Sequence, residues 1–195
     1  MITGRIVVRR AVAEDAEIIA CAVAMAIGDE EALRDYCGEE YIAVLQEVAR
    51  RRKTQYSWQQ ALVAEVDGVA VGAVVGYDGA QLVPLREGTF EVLRERVGRV
   101  PTIVDETEAG EYYLDSVGVL WEYRSMGVGR ELVDALCAKA FAEGHDCVGL
   151  IVDMENPKAE ELYRSLGFEQ VGERLFFGHR MRHLQRKQGD WPMSQ

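Results

Sequence analysis

The sequence predicts an α/β fold, a mixed central sheet of about seven strands with helices on both faces, and three observations carry that expectation. Hydrophobic periodicity switches along the chain between a helical spacing and a strict alternation. The continuous apolar run Cys147 to Val152 reads as a strand buried on both faces. An amphipathic helical pattern separates that run from an earlier strand-like segment, which makes a βαβ unit.

In chain order, Arg5 to Arg9 mixes β-branched and basic residues as a strand does. Ile18, Ile19, Ala22, Val23, Ala26 and Ile27 follow at helical spacing. A second helical pattern runs through Tyr41, Ile42, Leu45, Val48 and Ala49, set apart from the first by Tyr36-Cys37-Gly38. The opening therefore reads strand, helix, helix. Leu62 to Glu65 and Val69 to Tyr77 flank Asp67-Gly68, a hairpin signal. Gln81 to Glu108 places Pro84 and Pro101 around a short amphipathic segment with Phe90, Leu93 and Val97 on one face. This stretch reads as an excursion from the sheet, and such excursions often carry substrate contacts.

Glu111 to Leu120 is strand-like, and Gly129 to Glu143 is helical through Leu132, Val133, Leu136 and Ala140. After the apolar strand come Asn156-Pro157, an N-cap and a first helical residue, then a helix through Leu162 and Leu166 that Gly167 stops. A β-rich stretch follows. Without a repeat or a linker, the expectation is one domain over residues 1–184 and a C-terminal tail over 185–195.

Apolar residues make up 48% and charged residues 28% of the 195, the composition of a globular protein rather than a disordered one. A formal charge of −11 opposes binding to a phosphate backbone, so no nucleic-acid partner is expected. The basic cluster Arg50-Arg51-Arg52-Lys53 ends a predicted helix, where cations suit the dipole. No secretory signal or membrane-length apolar run is read, and no membrane partner is expected. Cys21, Cys37, Cys137 and Cys147 lack ligand or CxxC spacing and fit buried free thiols in a cytoplasmic protein. His145, His179 and His183 form no ligand set by spacing, so no metal is expected.

Arg124-Ser125-Met126-Gly127-Val128-Gly129 sits between a strand and a helix. Its glycines allow a tight turn and close backbone approach, and the helix beyond offers free N–H groups to a pyrophosphate. A plain strand-to-helix turn is the alternative. Neither a P-loop Gly-Lys-Ser/Thr nor a Rossmann fingerprint is present.

Arg-x-x-Gly-x-Gly after a strand resembles the acyl-CoA pyrophosphate loop of the GNAT (GCN-five-related N-acetyltransferase) superfamily, and the run from Tyr113 to Gly129 is similar to that family throughout. A second match lies downstream, in Asn156-Pro157-Lys158-Ala159, Leu162-Tyr163 and Leu166-Gly167-Phe168. The likeness is sharpest over Tyr112 to Phe168 and looser over Arg5 to Gly79, while Gln81 to Glu108 matches nothing in the family. Trp121 stands where many members have proline and Ser125 where glycine or lysine is frequent, departures that remove no needed donor.

The resemblance implies acetyl-CoA as co-substrate. Backbone N–H groups of Met126, Gly127, Val128, Gly129 and Arg130, with Arg124 beside them, would hold the pyrophosphate, and the main chain of Val117 and Val119 would pair with the pantetheine arm. It also implies that the strand before the loop splays from its parallel neighbour, admitting the thioester to a gap lined by Leu150 and Val152. The Val119 N–H would face the oxyanion, and Asn156 and Tyr163 would border the cofactor.

Aminolysis of a thioester needs a base for the ammonium proton, a donor for the oxyanion and an acid for the thiolate. Tyr163, which in the family approaches the sulfur, is the candidate acid, against a packing role beside Leu162 and Leu166. Asp115 is the candidate base; alternation groups it with Tyr113 and Val117 on one face, and a structural hydrogen-bonding role stands beside the catalytic one. Glu111 is a second candidate base, although a strand edge suits a solvated charge. Trp58, Trp121 and Tyr112 either shape an acceptor pocket or pack.

The function expected is acetyl transfer from acetyl-CoA to an unidentified amine, of a small molecule or a protein, by direct attack in a ternary complex. The alternative is a catalytically silent acyl-CoA sensor. A homodimer is compatible with the resemblance, with no residue pattern to specify it.

Overall fold

A computed structural model describes residues 4–176 and 178–190. Its sheet has seven strands in the order β1-β2-β3-β4-β5-β7-β6. These are β1 (Ile6–Arg10), β2 (Ala61–Val66), β3 (Val69–Asp78), β4 (Tyr112–Val119), β5 (Cys147–Asp153), β6 (Glu169–Phe176) and β7 (His179–Lys187). All neighbours are antiparallel except β4 and β5. The mixed sheet expected from the sequence is present.

Helices α1 (Ala16–Ile27), α2 (Glu30–Cys37), α3 (Tyr41–Arg50) and α4 (Leu82–Arg96) enclose one face. Helices α5 (Val128–Ala142) and α6 (Pro157–Ser165) cover the other, over a core of Leu132, Leu136, Leu150, Phe168 and Leu184. Each such side chain contributes about 1.5–3 kcal/mol on burial.

Two helices differ from the sequence expectation. The residues read as a break before α3 are the end of α2, whose N-cap Asp29 accepts the Ala32 N–H at 2.7 Å. Only Leu33, Tyr36 and Cys37 of its eight residues are buried, so the apolar signal was thin. The short segment expected in the excursion is a 15-residue helix, α4. Pro84 falls in its first turn, where a missing N–H leaves no helical bond unmade.

The Asp67-Gly68 turn carries positive φ at both residues, 52° and 81°, as a two-residue hairpin of the type I′ family requires. The C-terminal boundary needs correction. Strand β7 continues to Lys187, so Gln185, Arg186 and Lys187 belong to the sheet rather than to a tail, and Arg186 is buried. The strand pairs Gln185 with Gly149 and Arg186 with Val148, which holds these residues against β5. Residues 191–195 of that expected tail lie outside the described residues. Among the described residues the four cysteines are free, Cys21 half-buried and the others buried, and no helix is long and apolar enough to cross a membrane.

Candidate active site

The site begins with a defect in the sheet. On the β3 side, Val75 pairs with Ser116 and Gly76 with Leu114, leaving Asp115 as the extra residue of a bulge. A bulge bends its strand and increases local twist. The parallel pairing of β4 with β5 accordingly extends only over Tyr112–Val148 and Tyr113–Gly149, whereas β5 pairs with β7 along its whole length. Beyond Tyr113 the two parallel strands part, as expected, and the β5-facing edge of residues 114–119 is open.

The bulge also overturns one grouping drawn from alternation. Tyr113 packs with Tyr77, Leu82 and Leu85 on the α4 side, and Asp115 accepts the Tyr77 hydroxyl at 2.7 Å on that same side. Val117 instead packs with the α5 cluster. One inserted residue resets the alternation, so Val117 and Asp115 face opposite ways. Tyr112, weighed as a pocket residue, lies on the α5 side and donates its hydroxyl to the Gly76 carbonyl at 2.7 Å. Trp121 is exposed beneath the Arg124 guanidinium, 4.9 Å from its ring centroid, and Trp58 is partly buried near Arg52.

After a short 3-10 turn beyond β4, Gly127 is the N-cap of α5 with φ 87°, a conformation that favours glycine. The Glu131 N–H closes onto the Gly127 carbonyl at 3.1 Å, so those of Val128, Gly129 and Arg130 precede the helical ladder. Arg124 donates to the Val119 carbonyl at 3.1 Å, and Arg130 reaches Ser165 of α6. What the loop offers an anion is thus mainly backbone N–H groups and the positive end of α5. Met126 packs partly against the α5 core.

Across the gap, Asn156 caps α6 by accepting the Ala159 N–H at 3.2 Å. Tyr163 sits on the α5–α6 face with Leu150 and Val152, its ring edge-on to Phe168 at 5.8 Å. Burial pushes its hydroxyl up to about 12, which keeps the proton in place at neutral pH. Tyr163 and Asp115 therefore lie on opposite faces of the sheet, with the parted strands between them.

Asp115 retains partial solvent access. Burial raises its proton affinity, against hydrogen bonds from Tyr77 and from Ser116, the latter at 2.8 Å. Around it is a polar cluster that sequence reasoning missed. Gln55 Nε2 donates to the Tyr77 hydroxyl and to Glu106 Oε1, each at 3.2 Å. Arg86 of α4 pairs with Glu106 and, at 2.6 Å, with Asp105. Glu106 is 5% exposed, and burial first, then the charge of Asp115, pushes it up to about 7. These residues come from α4, β3 and two loops, and no local spacing announces them.

Glu111, expected as a solvated strand-edge charge, is 3% exposed. Its carboxylate accepts from Thr107 at 2.7 Å and from Gln185 at 2.8 Å, and meets His183 Nε2 at 2.8 Å. It lies over Gly149, where any Cβ would overlap it. Burial works to raise its pKa, but His183, Thr107 and Gln185 outweigh that and leave it below the usual carboxylate value. With its oxygens so occupied, Glu111 ties the excursion to β5 and β7. His179, by contrast, pairs with Asp153 at 2.8 Å, and Glu155 completes a half-exposed to exposed trio.

Comparison with known proteins places the chain in a family. The family model described as the acetyltransferase (GNAT) family matches residues 30–168. The N-alpha-acetyltransferase RimI of Mycobacterium tuberculosis is 35% identical over 101 residues, 52% of this chain and 49% of that protein. The matched region thus spans about half the length of this curated relative. A crystal structure described as an acetyltransferase is 33% identical with a TM-score of 0.78, over 93% of this chain and 98% of that one. An N-acetyltransferase from Staphylococcus aureus Mu50 is 24% identical with a TM-score of 0.79, over 92% and 99% of the two chains, a likeness of fold.

Proposed function

Because the chain belongs to the GNAT acetyltransferase family, we propose that it moves an acetyl group from acetyl-CoA to a primary amine by direct attack in a ternary complex. The observation that carries this reading is the parting of β4 from β5 beside a helix N-terminus with free N–H groups. The backbone of Met126 to Arg130, with Arg124 at the turn, would hold the pyrophosphate. The open edge at Val117 and Val119 would pair with the pantetheine arm, and Leu150, Val152 and Asn156 would border the thioester.

The amine would approach from the Asp115 face. Asp115 accepts its proton as the C–N bond forms, the Val119 N–H faces the developing oxyanion, and Tyr163 protonates the departing thiolate as the C–S bond breaks. The placement of the two side chains on opposite faces suits this division, since the amine reaches the reacting carbon from one side and the thiolate leaves it on the other. The curated relative is an N-alpha-acetyltransferase, which makes a protein α-amine one acceptor class to try beside polyamines and amino acids.

Release of free CoA thiol from acetyl-CoA should depend on amine and yield an N-acetyl product detectable by mass spectrometry. Tight acetyl-CoA binding without transfer to peptide, polyamine or amino-acid acceptors would instead favour a silent sensor.

A further inference from the structure

The excursion from Gln81 to Glu108 ends by burying a second carboxylate in the Asp115 network. We propose that Glu106 is a positioning residue for proton uptake at Asp115, the two carboxylates competing for one proton from opposite ends of the Gln55–Tyr77 bridge. This rests on Asp115 as the base.

The hydrogen-bond polarity supports it. Gln55 offers one amide nitrogen to both Glu106 and Tyr77, at 3.2 Å each, so the Tyr77 oxygen is an acceptor on that side. Its own hydrogen must then point to Asp115, which it reaches at 2.7 Å. Gln55, Tyr77 and Glu106 are 2%, 1% and 5% exposed, so water screens this chain of contacts weakly.

The charges facing Asp115 come from several elements. Arg86 of α4 is the cation, shared between Glu106 and the exposed Asp105. The hydroxyls of Tyr36 from α2 and Tyr56 from the loop after α3 are buried and feel the charge of Asp115. Tyr113 of β4 is buried beside Tyr77, and Ser116 donates to Asp115 from the next position. From α1, Ala22 and Met25 approach β4 at Gly118 and bring no charge. One shared guanidinium facing the partly accessible Asp115 and the buried Glu106 leaves a charge that a proton satisfies, and burial pushes Glu106 up to about 7. A negative Glu106 strengthens Asp115 as a base, and a proton gained by Asp115 makes Glu106 easier to ionise.

The test uses the full chain without any ligand. Side-chain carboxyls of aspartate and glutamate are labelled with carbon-13 and titrated by NMR, with Asp115→Asn and Glu106→Gln assigning the two signals. Glu106→Gln should lower the Asp115 midpoint by about 1 pH unit or more, and Asp115→Asn should lower the Glu106 midpoint reciprocally. Tyr77→Phe, which removes a donor, should raise the Asp115 midpoint. Unchanged midpoints in the folded carboxylate variants overturn the proposal, and the reciprocal variant decides if Glu106→Gln does not fold. Asp115→Asn with undiminished acetyl transfer would instead remove Asp115 as base while leaving the coupling measurable.

Discussion

Tyr77 donates its hydroxyl to Asp115 at 2.7 Å across the β3–β4 pair, at the one residue of β4 that has no partner in the β3 register. The bulge that parts β4 from β5 is therefore also the point where a carboxylate is set beside the gap. Asp115→Asn should lower kcat by roughly 10²–10⁴, the usual worth of a general base, while acetyl-CoA still binds. Tyr77→Phe should move the acid limb of the rate profile to higher pH, because loss of a donor raises the proton affinity of the carboxylate. A limb displaced to lower pH would contradict the assignment.

Tyr163 is held at about 12 by burial and is a poor anion but an available proton donor. Tyr163→Phe keeps the ring contact with Phe168, so acetyl-CoA affinity and Tm should change little. Turnover should fall, by about 10-fold or more. Equal turnover in the variant would assign the residue to packing alone.

Glu111 ties together Thr107, His183 and Gln185 over Gly149. Its folded pKa is depressed, so its stabilisation is complete above the ordinary carboxylate range and is lost as pH falls through the folded value. Gly149→Ala should cost on the order of 1–3 kcal/mol by displacing this carboxylate. Urea unfolding of Glu111→Gln should show a smaller loss of stability on acidification than the parent; parallel curves would show that the network carries no pH dependence.

Glu106 has the opposite sign. Its folded value, about 7, lies above the unfolded one, so its contribution is complete below the ordinary carboxylate pKa and is lost as pH rises through about 7. Urea midpoints at about pH 5 and pH 8 should therefore differ less in Glu106→Gln than in the parent protein. An unchanged difference would place the titration elsewhere.

Much of this molecule was legible from local pattern. The βαβ unit, the Asp67-Gly68 hairpin and the Asn156-Pro157 helix start each announce themselves within a few residues. Gly127 likewise read as a tight turn into a helix, and it is the N-cap of α5. Three things were hidden. A bulge at Asp115 has no sequence signature and reverses the facing of Val117. Helix α2 is too polar to show a clear apolar stripe. The Gln55–Tyr77–Glu106 cluster joins residues whose proximity follows only from how α4 and its loop return to the sheet. Glu111 was misread because a carboxylate before a strand looks solvated until Gly149 and the donors of β7 are seen beneath it.

The proposed reaction depends on acetyl-CoA binding at the Gly127 loop and in the gap between β4 and β5. The most direct measurement is thermal unfolding with and without acetyl-CoA or CoA, in the parent protein and in Gly127→Glu. That change adds bulk and negative charge at a backbone position with φ 87°. The parent protein should show a ligand-dependent rise in Tm, about 2.7 kcal/mol of added stability at a hundred times the dissociation constant. The folded variant should lose that rise. No rise in the parent at saturating ligand, or an equal rise in the variant, would contradict binding at this site.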